Sequence, residues 1–311
     1  MAVNKNGIVV MGAVFVDIKG FPDDVYIPDG RNAGKVEYIH GGVSRNVVED
    51  IANMELRPTF LSIVDESALG DAVVRKLNNH KVNTEYIQSA PNGMGTWLAV
   101  FDNNGDLAGS ISQRPDLMPL LDVLEKKGDE IFANADSIII EVDVDKEIVK
   151  KVVELCEKHQ KKLYGVVSNM SIAVERRDFL QKFDCFICNQ LEAGMFFADD
   201  FSETDPKELA EILAKKLRLA KIPSMVVTMG GAGSVYADMK GKKGFCPAKK
   251  VQVKDTTGAG DAFCAGVSSG LTYGKTLAES VEIGTRLAAS VITSSENVCP
   301  RFLPGELGIE A

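Results

Sequence analysis

The chain has 311 residues, 45% of them apolar and 25% charged, which is the composition of an ordinary water-soluble globule with ample chain to bury a core. Its formal net charge of −9 argues against nucleic acid or an anionic membrane as the main partner. No run of about 20 apolar residues is present to cross a bilayer, so a cytoplasmic protein without a membrane partner is expected.

Residues 7–16, GIVVMGAVFV, read as a first core strand rather than a signal peptide, because the run carries glycine and ends at Asp17. The stretch 18–38, rich in Gly, Pro and Asp, reads as irregular strands. From Ile39 the chain runs IHGGVSRNVVEDIANMEL: two glycines, Ser44 as a helix N-cap, then Val47, Val48, Ile51 and Met54 on one helical face. Strand 59–64 and helix 67–80 follow. TWLAVFDNNGDLAGSIS then places two strand-type runs around Asn104-Gly105, a strong hairpin signal. The two insertions, at about 18–38 and 95–113, are expected to form a small sheet projecting from the body.

After residue 115 strands and helices alternate: strand 137–142, helix 145–160, strand 162–167, helix 171–182, strand 184–188, helices 190–197 and 205–219, and strand 224–229. Repeated βα units with apolar strands imply a parallel sheet covered by helices on both faces. Hairpin strands 233–238 and 244–252 lead into DTTGAGD, and two helices close what reads as one α/β domain. Ligands of such sheets bind beyond the carboxyl ends of the strands. That rule gathers Asp17, Gly41-Gly42, Glu141, Ser168, Asn189, Gly230-Gly231 and the DTTGAGD turn at one rim.

VKDTTGAGDAFCAG, residues 253–266, carries the chemistry. Glycines at Gly258 and Gly260 let backbone approach a ligand closely, and the helix that follows presents unpaired N–H groups to an anion. Asp261 in the first turn is odd company for a phosphate unless it accepts a proton from a substrate hydroxyl while Gly258, Ala259 and Gly260 hold a transferring phosphoryl group. Other signals carry less. Cys185-Phe186-Ile187-Cys188 has the C-x-x-C spacing but lies in an apolar strand with no companion motif, so the cysteines read as buried hydrophobes. GLTYGKT (270–276) is one residue short of a P-loop and follows no strand, and VVTMGGAGSVY (226–236) lacks G-x-G-x-x-G.

DTTGAGD followed by AFCAG resembles the C-terminal signature of the ribokinase-like (PfkB) carbohydrate and nucleoside kinases, and the likeness extends over nearly the whole chain. It implies a ribokinase-like three-layer sandwich with a mostly parallel central sheet and a small β-sheet lid. It implies MgATP-dependent transfer to a hydroxyl, with Asp261 as base and Gly258–Gly260 as anion hole. Asp17, Gly41, Gly42 and Asn46 match residues that grip the acceptor; Glu141 and Ser168 lie at the same rim. Glu141 and Asp143 read equally as hydroxyl or base recognition and as acids at a helix start. CNQLEA matches the family's N-x-x-E motif, assigning Asn189 and Glu192 to the triphosphate and a Mg²⁺ held through water. Thr228, Gly230, Gly233, Thr257 and Asn297 would line the ATP site. Asp255, with Thr257 and the loop 293–300, would form a monovalent-cation (K⁺) site.

GGV-x-RN, VVSNMSIA (166–173) and TSSENVCP are similar to the pseudouridine kinase branch, which makes the 5′-hydroxyl of pseudouridine the first acceptor to consider. Phe15 departs from the family, which has an Asn there. Ribose, 2-keto-3-deoxygluconate, a fructose phosphate (with Arg45 as its cation) or a purine nucleoside are the alternatives, as is a non-catalytic binder on the same fold. The edges and apolar residues of the lid, among them Trp97, Leu98 and Val100, lead us to expect a lid-to-lid homodimer.

Overall fold

The computed structural model describes residues 4–310 apart from the side chain of Arg176. Strand β1 (Ile8–Met11) is all buried, and the chain then turns at Gly12 into β2 (Phe15–Pro22) of a second sheet. The run 7–16 is therefore two strands in two sheets. A Cβ on Gly12 would collide with Ser44 and the Glu141 carboxyl, so the turn fits only without a side chain. β3 (Gly34–Gly41) returns antiparallel to β2 in unbroken register from Phe15↔Gly41 to Pro22↔Gly34, more regular than its composition suggests.

Next come α1 (Val43–Asn53), β4 (Thr59–Val64), α2 (Ala68–Asn79) capped by Ser67, and β5 (Ile87–Ser89). The expected hairpin forms β6 (Gly95–Phe101) and β7 (Leu107–Gln113). Then follow α3 (Pro119–Ala133), β8 (Ser137–Glu141), α4 (Lys146–His159) and β9 (Lys162–Val166). The expected helix 171–182 is two short pieces, α5 (Met170–Ala173) and α6 (Arg177–Leu180), joined by a 3₁₀ turn. β10 (Cys185–Asn189), α7 (Gln190–Phe197), α8 (Pro206–Ala220), β11 (Ser224–Thr228), β12 (Ser234–Asp238) and β13 (Lys243–Cys246) precede an irregular stretch, then α9 (Ala259–Thr272) and α10 (Leu277–Ile292).

The central nine-stranded sheet has the order β13-β12-β11-β10-β9-β8-β1-β4-β5. It is parallel from β11 to β5, with β12 and β13 antiparallel at one end. Its strand residues alternate between two cores. Ile138 and Ile140 pack with α3, α4 and α8 on one face, while Ile139 packs with α1, α2, α9 and α10 on the other. Burying both faces is what makes the strands continuous apolar runs. The same alternation puts Cys185 and Cys188 on opposite faces. All six cysteines are free thiols, and burial holds those of Cys185 and Cys188 well above their ordinary range, which suits packing rather than redox work.

The smaller sheet has the order β3-β2-β6-β7. One face bears Phe15, Asp17, Lys19, Trp97 and Phe101, with Phe21 and Phe101 stacked at 4.9 Å. The opposite face carries a row across all four strands, Tyr38–Ile18–Leu98–Ile111, of which Ile111 is 70% and Tyr38 61% exposed. No helix among the described residues is long and apolar enough to cross a membrane.

Candidate active site

Gly258 sets the geometry of the α9 N-terminus. It occupies the cap position at φ 80°, and a Cβ there would strike the Asn297 carbonyl of the last loop. Asp255 Oδ1 accepts the Thr257 N–H at 2.8 Å and tightens the turn. The Ala259 N–H donates to Thr256 O at 3.2 Å, so of the three amides proposed for an anion this one must exchange a bond to serve. Asp261 follows in the first helical turn, half-buried, and its Oδ2 accepts a 2.6 Å hydrogen bond from Asn46 Nδ2. Burial raises its carboxyl to a pKa of about 7, against the opposing pull of that hydrogen bond and of the Arg45 charge. A carboxyl poised there can take a hydroxyl proton near neutral pH.

Asn46 comes from α1, whose start differs from expectation. Gly42, at φ 100° with a would-be Cβ 2.6 Å from Ala13 O, holds the cap position instead of Ser44. Ser44 lies inside the first turn, donating its hydroxyl to Met11 O (3.1 Å) and its N–H to Glu141 Oε1 (2.8 Å). Glu141, at the end of β8, also accepts from Ala13 N at 3.3 Å. It therefore serves the helix N-terminus, where an anion is favoured. Burial and the nearby Asp143 nevertheless raise its pKa well above the carboxylate range. Asp17 rests against Gly41, where a Cβ would come within 3.0 Å of both carboxylate oxygens. Burial raises its pKa, against Lys19 and Arg45.

Arg45 is fully buried and already engaged. It pairs with Glu49 at 2.6 Å and donates to the carbonyls of Gly41 and His40, so it cannot serve as the cation for a phosphosugar. Sequence reasoning passed over Asp50, buried on the same helix, whose Oδ1 accepts the Cys299 N–H at 2.6 Å and fixes the last loop. Its place in the Val47–Ile51 stripe was the available signal. Asn297, expected at the nucleotide, donates to His40 O at 3.0 Å and links that loop to β3.

On the other side of α9, a cavity of about 510 Å³ is lined by Thr228, Gly230, Gly233, Ala259 and Gly260 together with apolar side chains of α10. Asn189 and Glu192 do not line it, but Asn189 is the strand partner of Thr228, which does. They form a reciprocal cap for α7, Glu192 N to Asn189 Oδ1 (2.9 Å) and Asn189 N to Glu192 Oε2 (2.8 Å). Burial first, and Asp143 less, push the Glu192 carboxyl up. Among the described residues no cluster of three or more His, Cys, Asp or Glu could hold a metal by itself. Glu192, a single carboxylate at this rim, fits a Mg²⁺ brought in on a nucleotide and touched by protein through water. A third group lies where β8 and β9 end. The Asp143 carboxylate accepts from Ser168 N (3.0 Å) and Ser168 Oγ (2.8 Å), and Arg114 at the end of β7 donates to Asp143 O at 3.0 Å.

The pfkB family carbohydrate kinase profile matches residues 5–299. The chain is 35% identical over 294 residues to the guanosine-inosine kinase of Exiguobacterium acetylicum, covering 94% of this chain and 96% of that one. It is 24% identical over 278 residues to the pseudouridine kinase of Escherichia coli K12, covering 89% and 87%. The fold superposes on the Arabidopsis thaliana ribokinase solved with ribose and ATP at a TM-score of 0.84, with 19% identity and 98% and 99% coverage.

Proposed function

Since the chain belongs to the pfkB family of carbohydrate kinases and is a sugar or nucleoside kinase using ATP, we propose that its acceptor is the 5′-hydroxyl of a purine nucleoside of the guanosine or inosine type. The observation that carries the chemistry is the Asn46–Asp261 pair at the N-terminus of α9. The acceptor hydroxyl loses its proton to Asp261 as its oxygen bonds to the γ-phosphorus, and the β–γ bridging oxygen departs with ADP. Gly258, Ala259 and Gly260 hold the charge on the transferring group through backbone amides and the helix end. Mg²⁺ carried by the nucleotide would neutralise phosphate charge beside Glu192, and the turn at Asp255 and Thr257 is the place for a monovalent cation. Asp17 and Asn46 grip the ribose, and the lid excludes water on closure.

The purine reading rests on the 35% identity to a guanosine-inosine kinase over nearly the full length of both chains. Pseudouridine is the second reading, favoured by GGV-x-RN and by the 24% relative. Arg45, the cation named for a phosphosugar, is spent on Glu49. The test is ADP release with MgATP against inosine, guanosine, adenosine, pseudouridine, ribose and fructose 6-phosphate, with the product located by ³¹P NMR. Turnover of inosine and guanosine to 5′-monophosphates is expected. Preference for pseudouridine would install the second reading, and turnover of a free sugar alone would overturn both.

A further inference from the structure

A small cavity of about 150 Å³ opens beside the acceptor site, lined by Phe15, Arg114, Leu117, Glu141, Asp143 and Ser168. Resting on the nucleoside reading above, we propose that it is the base subsite and that Arg114 selects a 6-oxopurine by its O6 and N7 atoms. Position comes first. Glu141 lines the cavity and also holds the start of α1 through Ser44, two residues before Asn46, which reaches Asp261. The cavity and the Asp261 site thus meet at the start of α1, and on this proposal the base of a nucleoside with its 5′-hydroxyl at Asp261 occupies the cavity.

The walls have two characters. Phe15 and Leu117 are apolar, and the Phe15 ring occupies the space a side chain at position 95 would need, since a Cβ on Gly95 would collide with it. Gly95 leaves the ring its room, and the ring offers a face for stacking. Opposite it the chemistry is polar and locked. Ser168 N and Oγ both donate to the buried Asp143 carboxylate. Asp143 in turn holds Arg114 by one nitrogen, Nη2, through its carbonyl at 3.0 Å and its Oδ2 at 3.4 Å. The Arg114 side chain is about half exposed.

A guanidinium is all donors in a rigid planar fork. Anchored through one nitrogen, it presents its remaining N–H groups to two adjacent acceptors. Guanine and hypoxanthine offer O6 and N7 side by side, the pair that arginine matches bidentately. Adenine would set its 6-amino donor against the fork, and a pyrimidine C-nucleoside has no N7. Arg114 is a specificity residue on this account, acting at the hinge where the lid rejoins the body.

The test compares kcat/KM for guanosine, 7-deazaguanosine and adenosine in the wild-type protein and in Arg114→Gln. The wild type should favour guanosine over both others by roughly tenfold to a hundredfold, the worth of one bidentate pair. Arg114→Gln should collapse both ratios, with adenosine gaining relative to guanosine because a carboxamide suits N6 and N7 of adenine. General damage to the fold would lower all three rates together and leave the ratios in place. Guanosine turnover with ratios unchanged in Arg114→Gln, or a wild type indifferent to the 7-deaza change, overturns the inference and leaves the nucleoside reading standing. Absence of turnover on any nucleoside overturns that reading, and the inference falls with it.

Discussion

Asp261, the proposed base, and Asn46 are joined by one hydrogen bond, and their partnership has a measurable sign. Burial raises the Asp261 pKa, and the amide of Asn46 stabilises the ionised form and pulls it back. As the proposed base, Asp261 is competent only when ionised, so kcat/KM should rise with pH through about 7 in the free enzyme. Removing the donor in Asn46→Ala should move that limb up by about one pH unit, in line with the worth of a hydrogen bond to a charged group. A limb that stays in place would contradict the coupling. Asp261 and Gly258 were legible in the sequence because a turn and a helix start are local. The place of Ser44 is not legible locally, because its partners, Met11 and Glu141, belong to distant strands. Asp50 and Arg114 were missed for the same reason: their partners Cys299 and Asp143 lie 249 and 29 residues away.

Among elements, period and punctuation located most strands and helices, and they failed where the chain changes sheet. GIVVMGAVFV carries one continuous apolar pattern, yet its second half belongs to the lid, since the turn at Gly12 is dictated by the approach of Ser44 and Glu141. Helix α3 buries one face through Leu120, Leu124 and Ile131, but its signal in the sequence is weak because Gly128, packed on Leu155, interrupts the stripe. The lid was legible from Asn104-Gly105 and alternation, and its outer row is the basis for a prediction about assembly. Tyr38, Leu98 and Ile111 expose an apolar band on a sheet whose edges are β3 and β7, the kind of surface a second copy covers. Light scattering should give the mass of two chains, and Ile111→Glu should shift it toward one. A single-chain mass for the unaltered protein at working concentration would refute the dimer.

At the scale of the whole molecule, the order of the sheet does what no local pattern records. Placing β1 between β8 and β4 brings the strand ends that carry Glu141 and the turn at Gly12 together, and α1 and α9, packed on one face, bring Asn46 to Asp261 across 215 residues of chain. The family resemblance names both residues but does not pair them. The arrangement has a thermodynamic consequence. A carboxyl whose folded pKa is raised binds its proton more tightly in the folded protein than in the unfolded chain. It therefore costs stability as pH climbs from the unfolded value through about 7, and that cost is fully present above it.

The most direct measurement is ADP release with MgATP and inosine or guanosine for the wild-type protein beside Asp261→Asn, with melting curves of both at pH 5 and pH 8. The variant should fold, melt higher than the wild type at pH 8 with the difference shrinking at pH 5, and lose turnover by about 10²- to 10⁴-fold. Near-normal turnover in a folded Asp261→Asn would contradict the assignment of the base, and with it the account of the site.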